Sequence, residues 1–107
     1  MDLNLVILCG RLVSPPDHRT VESGANIVRF LLAIRSETPQ NRVDVLPVMF
    51  WDPPPGALDV AVGHTVWVAG RILRRFPEVG STRGSRLELV ADHVDTRPDR
   101  PLEMSSV

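Results

Sequence analysis

The sequence contains no lysine and no tyrosine, and it has a single cysteine, Cys9. One cysteine cannot form an internal disulfide, so Cys9 is expected to be a small buried thiol in a reducing cytoplasm. No apolar run approaches the roughly 20 residues needed to span a bilayer. The N-terminus, Met-Asp-Leu-Asn, has no basic stretch ahead of an apolar run. We therefore expect a cytoplasmic protein with no signal peptide and no membrane contact.

Motifs of common enzyme and metal sites are also missing. The chain has no HExxH, no glycine-rich phosphate loop and no CxxC. Asp17-His18 and Asp92-His93 pair a carboxylate with an imidazole, but neighbours on a strand point to opposite faces, so neither pair forms a dyad by itself. These histidines and His64 are expected to be ordinary surface or turn residues. We expect no enzyme, no catalytic residue, no cofactor and no metal site.

The charge is small but unevenly placed. A net charge of −1 by itself argues against a nucleic-acid-binding protein. Residues 1–91, however, hold ten arginines against nine acids, whereas residues 92–107 hold two arginines against four acids. Five of the 12 arginines fall within residues 71–86, beside one glutamate. Because a guanidinium binds two phosphate oxygens at once and stacks on bases, this local patch suits a nucleic acid.

Short β-type runs separated by turn signals make up the chain, and its 43% apolar residues are enough for one packed core. Strands are predicted at residues 3–13, 18–22, 27–35, 43–51, 65–76 and 86–94. Pro47 predicts a bulge or an unpaired edge, and Ala57–Val62 one or two helical turns. Such short strands predict an all-β, small closed barrel, since closure removes exposed sheet edges. The domain is predicted to span residues 1–95. Residues 96–107 are predicted to form a short flexible tail.

The first predicted strand is apolar on both faces. Leu5, Ile7 and Cys9 alternate with apolar residues that point the other way. A barrel core buries only one of these faces, so the other needs a second cover.

Six segments follow one another in a recognisable order. They are residues 4–12, Pro16-Asp-His-Arg19 followed by Ser23-Gly24, residues 30–33, Val48-Met-Phe-Trp51, Gly63-His-Thr-Val66-Trp-Val68-Ala-Gly70-Arg71-Ile72, and residues 87–94. Over residues 4–94 this set resembles the bacterial single-stranded DNA-binding protein family. The resemblance implies a five-stranded OB-fold barrel with a short or vestigial helix. It also implies sequence-independent binding and protection of single-stranded DNA at the nucleoid, during replication, recombination or repair.

The resemblance further implies a homo-oligomer, which is at least a dimer and usually a tetramer built as two dimers. The first strand would then pair with its copy across a two-fold axis, which agrees with the two apolar faces. The expected interface residues are Leu3, Leu5, Ile7, Cys9 and Trp67.

Binding a bare strand requires aromatic faces for bases and cations for phosphates. The resemblance puts Trp51 outward at a base-stacking position, with packing in the core or an interface as the alternative. Phe76 lies near another stacking position or packs within a hairpin. Trp67 leaves the core, and it either stacks a base or fills the interface. Phe30 and Phe50 are expected in the core.

The candidate phosphate ligands are arginines, of which Arg75 matches a DNA-contact position of the family. Arg71 shares its strand face, and Arg74 lies on the other. The alternative for the arginines of residues 71–86 is that they lie on a solvated strand face. Arg11 either contacts phosphate or stabilises a dimer. The predicted DNA-binding arginines are Arg11, Arg35, Arg42, Arg71, Arg74, Arg75, Arg83 and Arg86.

The chain departs from the family pattern in three places. The loop after the third strand is short and has no aromatic residue, and Pro53-Pro54-Pro55 replace part of the family's helix. The family's acidic, aromatic-ended tip is missing, so no partner recruitment through the tail is expected. The alternative function is an OB-fold adapter of the primosomal replication protein type, which bridges DNA and partner proteins.

Overall fold

The computed structural model describes residues 1–75 and 84–98, which form six β-strands. They are β1 (Val6–Leu12), β2 (Asp17–Thr20), β3 (Asn26–Ser36), β4 (Arg42–Trp51), β5 (Thr65–Arg75) and β6 (Arg86–Arg97). Within these ranges no helix is long and apolar enough to cross a membrane. The first strand starts at Val6 rather than Leu3, and the last extends to Arg97, into the segment predicted as tail.

The strands close into a barrel. Their order is β1-β5-β6-β4-β3-β2, and a further pairing of β1 with β3 joins β1, β5, β6, β4 and β3 into a ring. β2 pairs with β3 outside this ring, and the β4–β6 pairing is parallel whereas the others are antiparallel. The predicted all-β class and closed five-stranded barrel are confirmed.

Strict alternation of side chains fills the barrel. Val28, Phe30 and Leu32 of β3 point inward and are at most 1% exposed, as is Val48 of β4. Phe50 is partly buried and packs against this cluster. Each such side chain contributes about 1.5–3 kcal/mol to stability by leaving water. The expected core positions of Phe30 and Phe50 are confirmed. The residues that alternate with the inward side chains along β3 and β4 point to the outer face of the barrel.

Pro47 is accommodated without a bulge. It pairs with Leu31 in an unshifted β3–β4 register. The carbonyl of Leu31 instead accepts from the Val13 nitrogen at 3.0 Å, so the Leu31–Pro47 pair is not a hydrogen-bonded one and the Pro47 nitrogen points away from β3. On that side β4 pairs with β6 only from Val48 onward. The predicted unpaired edge is therefore present and the predicted bulge is not.

A bulge occurs instead between β5 and β6. The register shifts between Ala69 and Gly70, which leaves Asp92 as the additional residue of β6. A Cβ atom on Gly70 would lie 2.0 Å from the Val90 carbonyl oxygen. Glycine is needed here because the two backbones approach closely.

The helical turns expected at Ala57–Val62 do not form. The Ala57 nitrogen donates to the Pro54 carbonyl at 3.3 Å and the Asp59 nitrogen to the Gly56 carbonyl at 3.0 Å, each spanning three residues rather than the four of an α-helix. Gly56 has a φ of +92°, outside the helical region, and the preceding prolines lack N–H donors. The β4–β5 connection is therefore a turn-containing loop, and no helix occurs elsewhere in residues 1–75 and 84–98.

Candidate nucleic-acid interface

Trp51 ends β4 on the outer face of the barrel. It follows the inward Phe50 and pairs with Ile27 of β3. The strand end is fixed by two bonds: the Asn26 nitrogen donates to Asp52 Oδ1 at 2.9 Å, and the Asp52 nitrogen donates to the Asn26 carbonyl at 2.7 Å. Asp52 turns the chain with a φ of +45°, a conformation that aspartate tolerates better than most residues. The turn thus leaves the half-buried indole at the surface.

An arginine covers this indole. The Arg75 guanidinium carbon lies 5.0 Å from the Trp51 ring centroid, a cation–π contact worth about 0.5–1 kcal/mol at an exposed site. Arg75 Nε donates to Glu88 Oε2 at 2.8 Å, and Arg86 Nη2 lies 3.9 Å from the other carboxylate oxygen. The Glu88 side chain is only 12% exposed. We call Trp51, Arg75 and Glu88 the stacking cluster.

A cleft of about 760 Å³ opens beside the stacking cluster, between the end of β4, the second half of β5 and the middle of β6. We call it the Trp51 cleft. Arg71 and Arg75 both line it, and Arg71 Nε lies 3.7 Å from Asp92 Oδ1. Arg74 is not part of this lining, and its Nη1 donates to Ser85 Oγ at 3.3 Å. The predicted division of these arginines between two strand faces is confirmed.

A second cleft, of about 420 Å³, lies on the outer face of β2, β3, β4 and β6. We call it the Arg29 cleft. Arg19, Arg29 and Arg86 stand around a largely apolar floor that includes Met49. Glu88 lines this cleft and also binds Arg75 of the Trp51 cleft, so the two clefts adjoin at the stacking cluster.

Arg19, Arg29 and Met49 are further candidate site residues that the sequence did not predict. A signal for Arg29 was present, since it lies between the core residues Val28 and Phe30 and must therefore point outward. No signal in the sequence alone set its partner, because the pairing of Arg29 with Met49 depends on the β3–β4 register.

Three predicted arginines lie elsewhere. Arg11 and Arg35 line a cleft of about 460 Å³, and Arg42 Nε donates to Asp44 Oδ1 at 2.9 Å. Arg35 pairs with Val43, eight residues before Trp51 on β4, which is about 27 Å along a strand. The structure therefore does not bring these arginines together with the stacking cluster. Phe76 and Arg83, also predicted as DNA-binding residues, lie outside the described residues.

The predicted interface residues cluster on another surface. Ile7 pairs with Ala69, and Cys9 with Trp67, so these β1 and β5 side chains share one outer face. Ile7 is 59% exposed and Trp67 48%. Cys9 is exposed as well, so the expectation of a buried thiol is wrong for the single chain. Leu3 and Leu5 precede β1 and are also exposed.

Among residues 1–75 and 84–98, no group of three histidine, cysteine, aspartate or glutamate side chains is placed to hold a metal ion. The Trp51 Nε1 atom is the one buried side-chain nitrogen or oxygen without a hydrogen-bond partner in the same ranges.

Solved structures that share this fold include a domain of PriB and a single-stranded DNA binding protein. The N-terminal domain of PriB from Thermoanaerobacter tencongensis, described as a dimeric structure, superposes with a TM-score of 0.68 at 20% identity, over 90% of this chain and 98% of that one. A deletion mutant of the single-stranded DNA binding protein from Thermus aquaticus gives a TM-score of 0.72 at 25% identity. That match covers 92% of this chain but 52% of the other, so the present chain spans about half its length. No curated protein sequence matches the chain.

A family model gives the assignment. The model of the single-strand binding protein family matches residues 3–96, nearly the whole described domain. The match supports the expectation of a binding protein rather than an enzyme, and it agrees with the barrel and with an outer face that carries an indole and arginines. The chain therefore belongs to the single-strand binding protein family.

Proposed function

We propose that the chain binds single-stranded DNA, without sequence preference, across the adjoining Trp51 and Arg29 clefts. The observation that carries this proposal is the stacking cluster itself: an indole and a guanidinium lie together at an open junction between two arginine-lined clefts. Every base has a π-face, so such a platform accepts any sequence. The corresponding role inside the cell is to protect single-stranded DNA during replication, recombination or repair.

In this proposal affinity has two sources. Stacking on the platform built on Trp51 contributes about 1–3 kcal/mol. Arginines of the clefts displace counterions from phosphates, which makes binding depend on salt. Arg71 and Arg86, and newly Arg19 and Arg29, are the arginines best placed for this role.

The remaining predicted residues would extend the DNA-binding surface beyond the two clefts. Arg74, near the end of β5, is a further candidate, and Phe76 and Arg83 stay candidates from the sequence alone because they lie outside the described residues. Arg11, Arg35 and Arg42 lie at the far end of β3 and β4, where a longer strand of DNA would arrive after crossing the outer face of these strands.

Self-association is the second part of the proposal. We infer at least a dimer, held by the exposed face of Leu3, Leu5, Ile7, Cys9 and Trp67, with a tetramer as the larger assembly. The support is an apolar face that no other element of the described chain covers, together with the dimeric state of the PriB domain of similar fold.

An adapter that bridges DNA and partner proteins is the alternative function. The β4–β5 loop without a helix and the likeness in fold to PriB favour it. A solution mass separates the two: a stable dimer favours the adapter, and a tetramer favours the main single-strand binding form.

Fluorescence titration with poly-dT tests the binding function, with a DNA duplex of equal length as competitor. We expect poly-dT to bind far more tightly than the duplex. Trp51→Ala should weaken poly-dT binding by roughly 5–150-fold, the equivalent of one stacked base. Trp51→Phe, which keeps an aromatic ring, is the matched control and should lose much less. Duplex binding as tight as poly-dT binding would contradict the proposal.

A further inference from the structure

We propose that Arg75, rather than the bare indole of Trp51, is the surface on which the nucleobase stacks, and that Glu88 is the positioning residue that holds it there. This inference rests on the binding site proposed above and specifies how that site is built. It changes the role expected of Arg75 from a phosphate ligand to a stacking layer.

The order of the layers follows from exposure. The Trp51 ring is half-buried, its Nε1 edge is fully buried, and the Arg75 guanidinium lies over it at 5.0 Å. The Arg75 side chain is 43% exposed. A base that approaches along the Trp51 cleft therefore meets the guanidinium before the indole. Guanidinium planes accept bases on their faces as aromatic rings do.

The charge of Arg75 is already engaged. Its Nε donates to Glu88 at 2.8 Å, and this carboxylate is 12% exposed, so the pair is held in a partly desolvated position. To contact a phosphate with its full charge, Arg75 would have to leave both Glu88 and the indole. Stacking requires neither change, because the outer face of the guanidinium stays open while the Nε–H bond is kept.

Glu88 has no direct part in DNA contact in this arrangement. A carboxylate beside a polyanion repels it, so its presence at the junction of the two clefts calls for another role. Its bond to Nε fixes the rotation of the guanidinium over the ring. It also faces Arg86 at 3.9 Å, so the three side chains carry a net positive charge.

Two variants separate a stacking layer from a phosphate contact. Arg75→Lys keeps the charge and loses the plane; we expect poly-dT binding to weaken by at least roughly fivefold, with an unchanged salt slope. The double variant Arg75→Ala with Glu88→Gln removes the layer and leaves the net charge unaltered, and the same loss is expected. Arg97→Lys is the matched control, since Arg97 is also an arginine of a strand paired with a carboxylate, Asp95, but lies away from both clefts; it should bind as the wild type does.

Other outcomes overturn the inference. If Arg75→Lys binds normally and the double variant lowers the salt slope by about 0.7, Arg75 is a phosphate ligand. If the double variant binds more tightly than the wild type, Arg75 is an obstruction that DNA displaces. If both Arg75→Lys and the double variant bind poly-dT as tightly as the wild type, but Trp51→Ala binds more weakly, the base stacks on Trp51 directly. If Trp51→Ala also matches the wild type, the binding site proposed above is itself wrong.

The positioning role of Glu88 has its own test. Glu88→Gln and Glu88→Ala remove the same charge, but only glutamine keeps an acceptor for Arg75 Nε. We expect the alanine variant to bind poly-dT more weakly than the glutamine variant. Equal affinities would show that Glu88 acts through its charge alone. The ¹⁹F resonance of 5-fluorotryptophan at position 51, assigned with Trp51→Phe, should shift in the alanine variant and stay near its wild-type position in the glutamine variant. Thermal unfolding of both variants controls for loss of the fold.

Discussion

The side-chain amide of Asn4 binds the backbone of Ile72 in the manner of a neighbouring strand. Its Nδ2 donates to the Ile72 carbonyl at 2.7 Å, and its Oδ1 accepts from the Ile72 nitrogen at 2.9 Å. This pair lies just beyond the last backbone pair of the two strands, Val6 with Gly70. The amide thus ties the segment that carries Leu3 and Leu5 to β5.

Asn4→Asp should loosen this segment. A carboxylate still accepts from the Ile72 nitrogen but has no donor for the Ile72 carbonyl, so we expect a loss of about 1 kcal/mol in unfolding free energy. Hydrogen exchange at the Ile72 amide should accelerate. Asn41→Asp, in the exposed β3–β4 loop, makes the same chemical change as a control and should be near neutral. Equal effects at the two positions would contradict a specific role for Asn4.

Gly70→Ala should be severely destabilising, because its Cβ would lie 2.0 Å from the Val90 carbonyl oxygen. We expect a loss of about 3 kcal/mol or failure to fold, as for other overpacked sites. Gly24→Ala is the informative comparison, since its Cβ meets nothing within 4 Å but its φ is +91°. That change should cost only about 1–2 kcal/mol. Urea unfolding of both variants measures the difference.

Arg29→Ala should weaken binding through phosphate contact alone. We expect the slope of log affinity against log salt to fall by about 0.7, the value for one phosphate of a single strand. Arg97→Ala, at the far end of β6 and paired with Asp95, is the control and should leave the slope unchanged. Titration with poly-dT at several salt concentrations provides both slopes. An Arg29→Ala slope equal to that of the wild type would remove the Arg29 cleft from the binding path.

Ile7→Asp should dissociate the oligomer. The change places a charge in the centre of the face formed by β1 and Trp67, where burial of an unpaired carboxylate is costly. Val62→Asp is matched in exposure, at 55% against 59% for Ile7, but lies in the β4–β5 loop. Sedimentation at micromolar concentration should give a monomer for the first variant and the wild-type mass for the second. A wild-type mass for both would place the interface elsewhere.

The barrel and the two faces of its strands can be predicted from the sequence alone. Alternation along Asn26–Ser36 separates the core residues Val28, Phe30 and Leu32 from outward Arg29, because a pleated strand has a period of two. The same rule separates Phe50 from Trp51 without knowledge of any neighbour. The resemblance over residues 4–94 agreed with the family later matched over residues 3–96.

Which outward residues meet depends instead on how the strands pair in the folded barrel. Glu88 lies on a different strand from Arg75, and Trp51 on a third, so their cluster depends on the pairing registers of β5 with β6 and β4 with β6. The bulge at Gly70 shifts one of these registers by one residue, which no local propensity specifies. Arg75, which the family resemblance marked as a DNA contact, is for this reason found paired with a carboxylate and stacked on an indole.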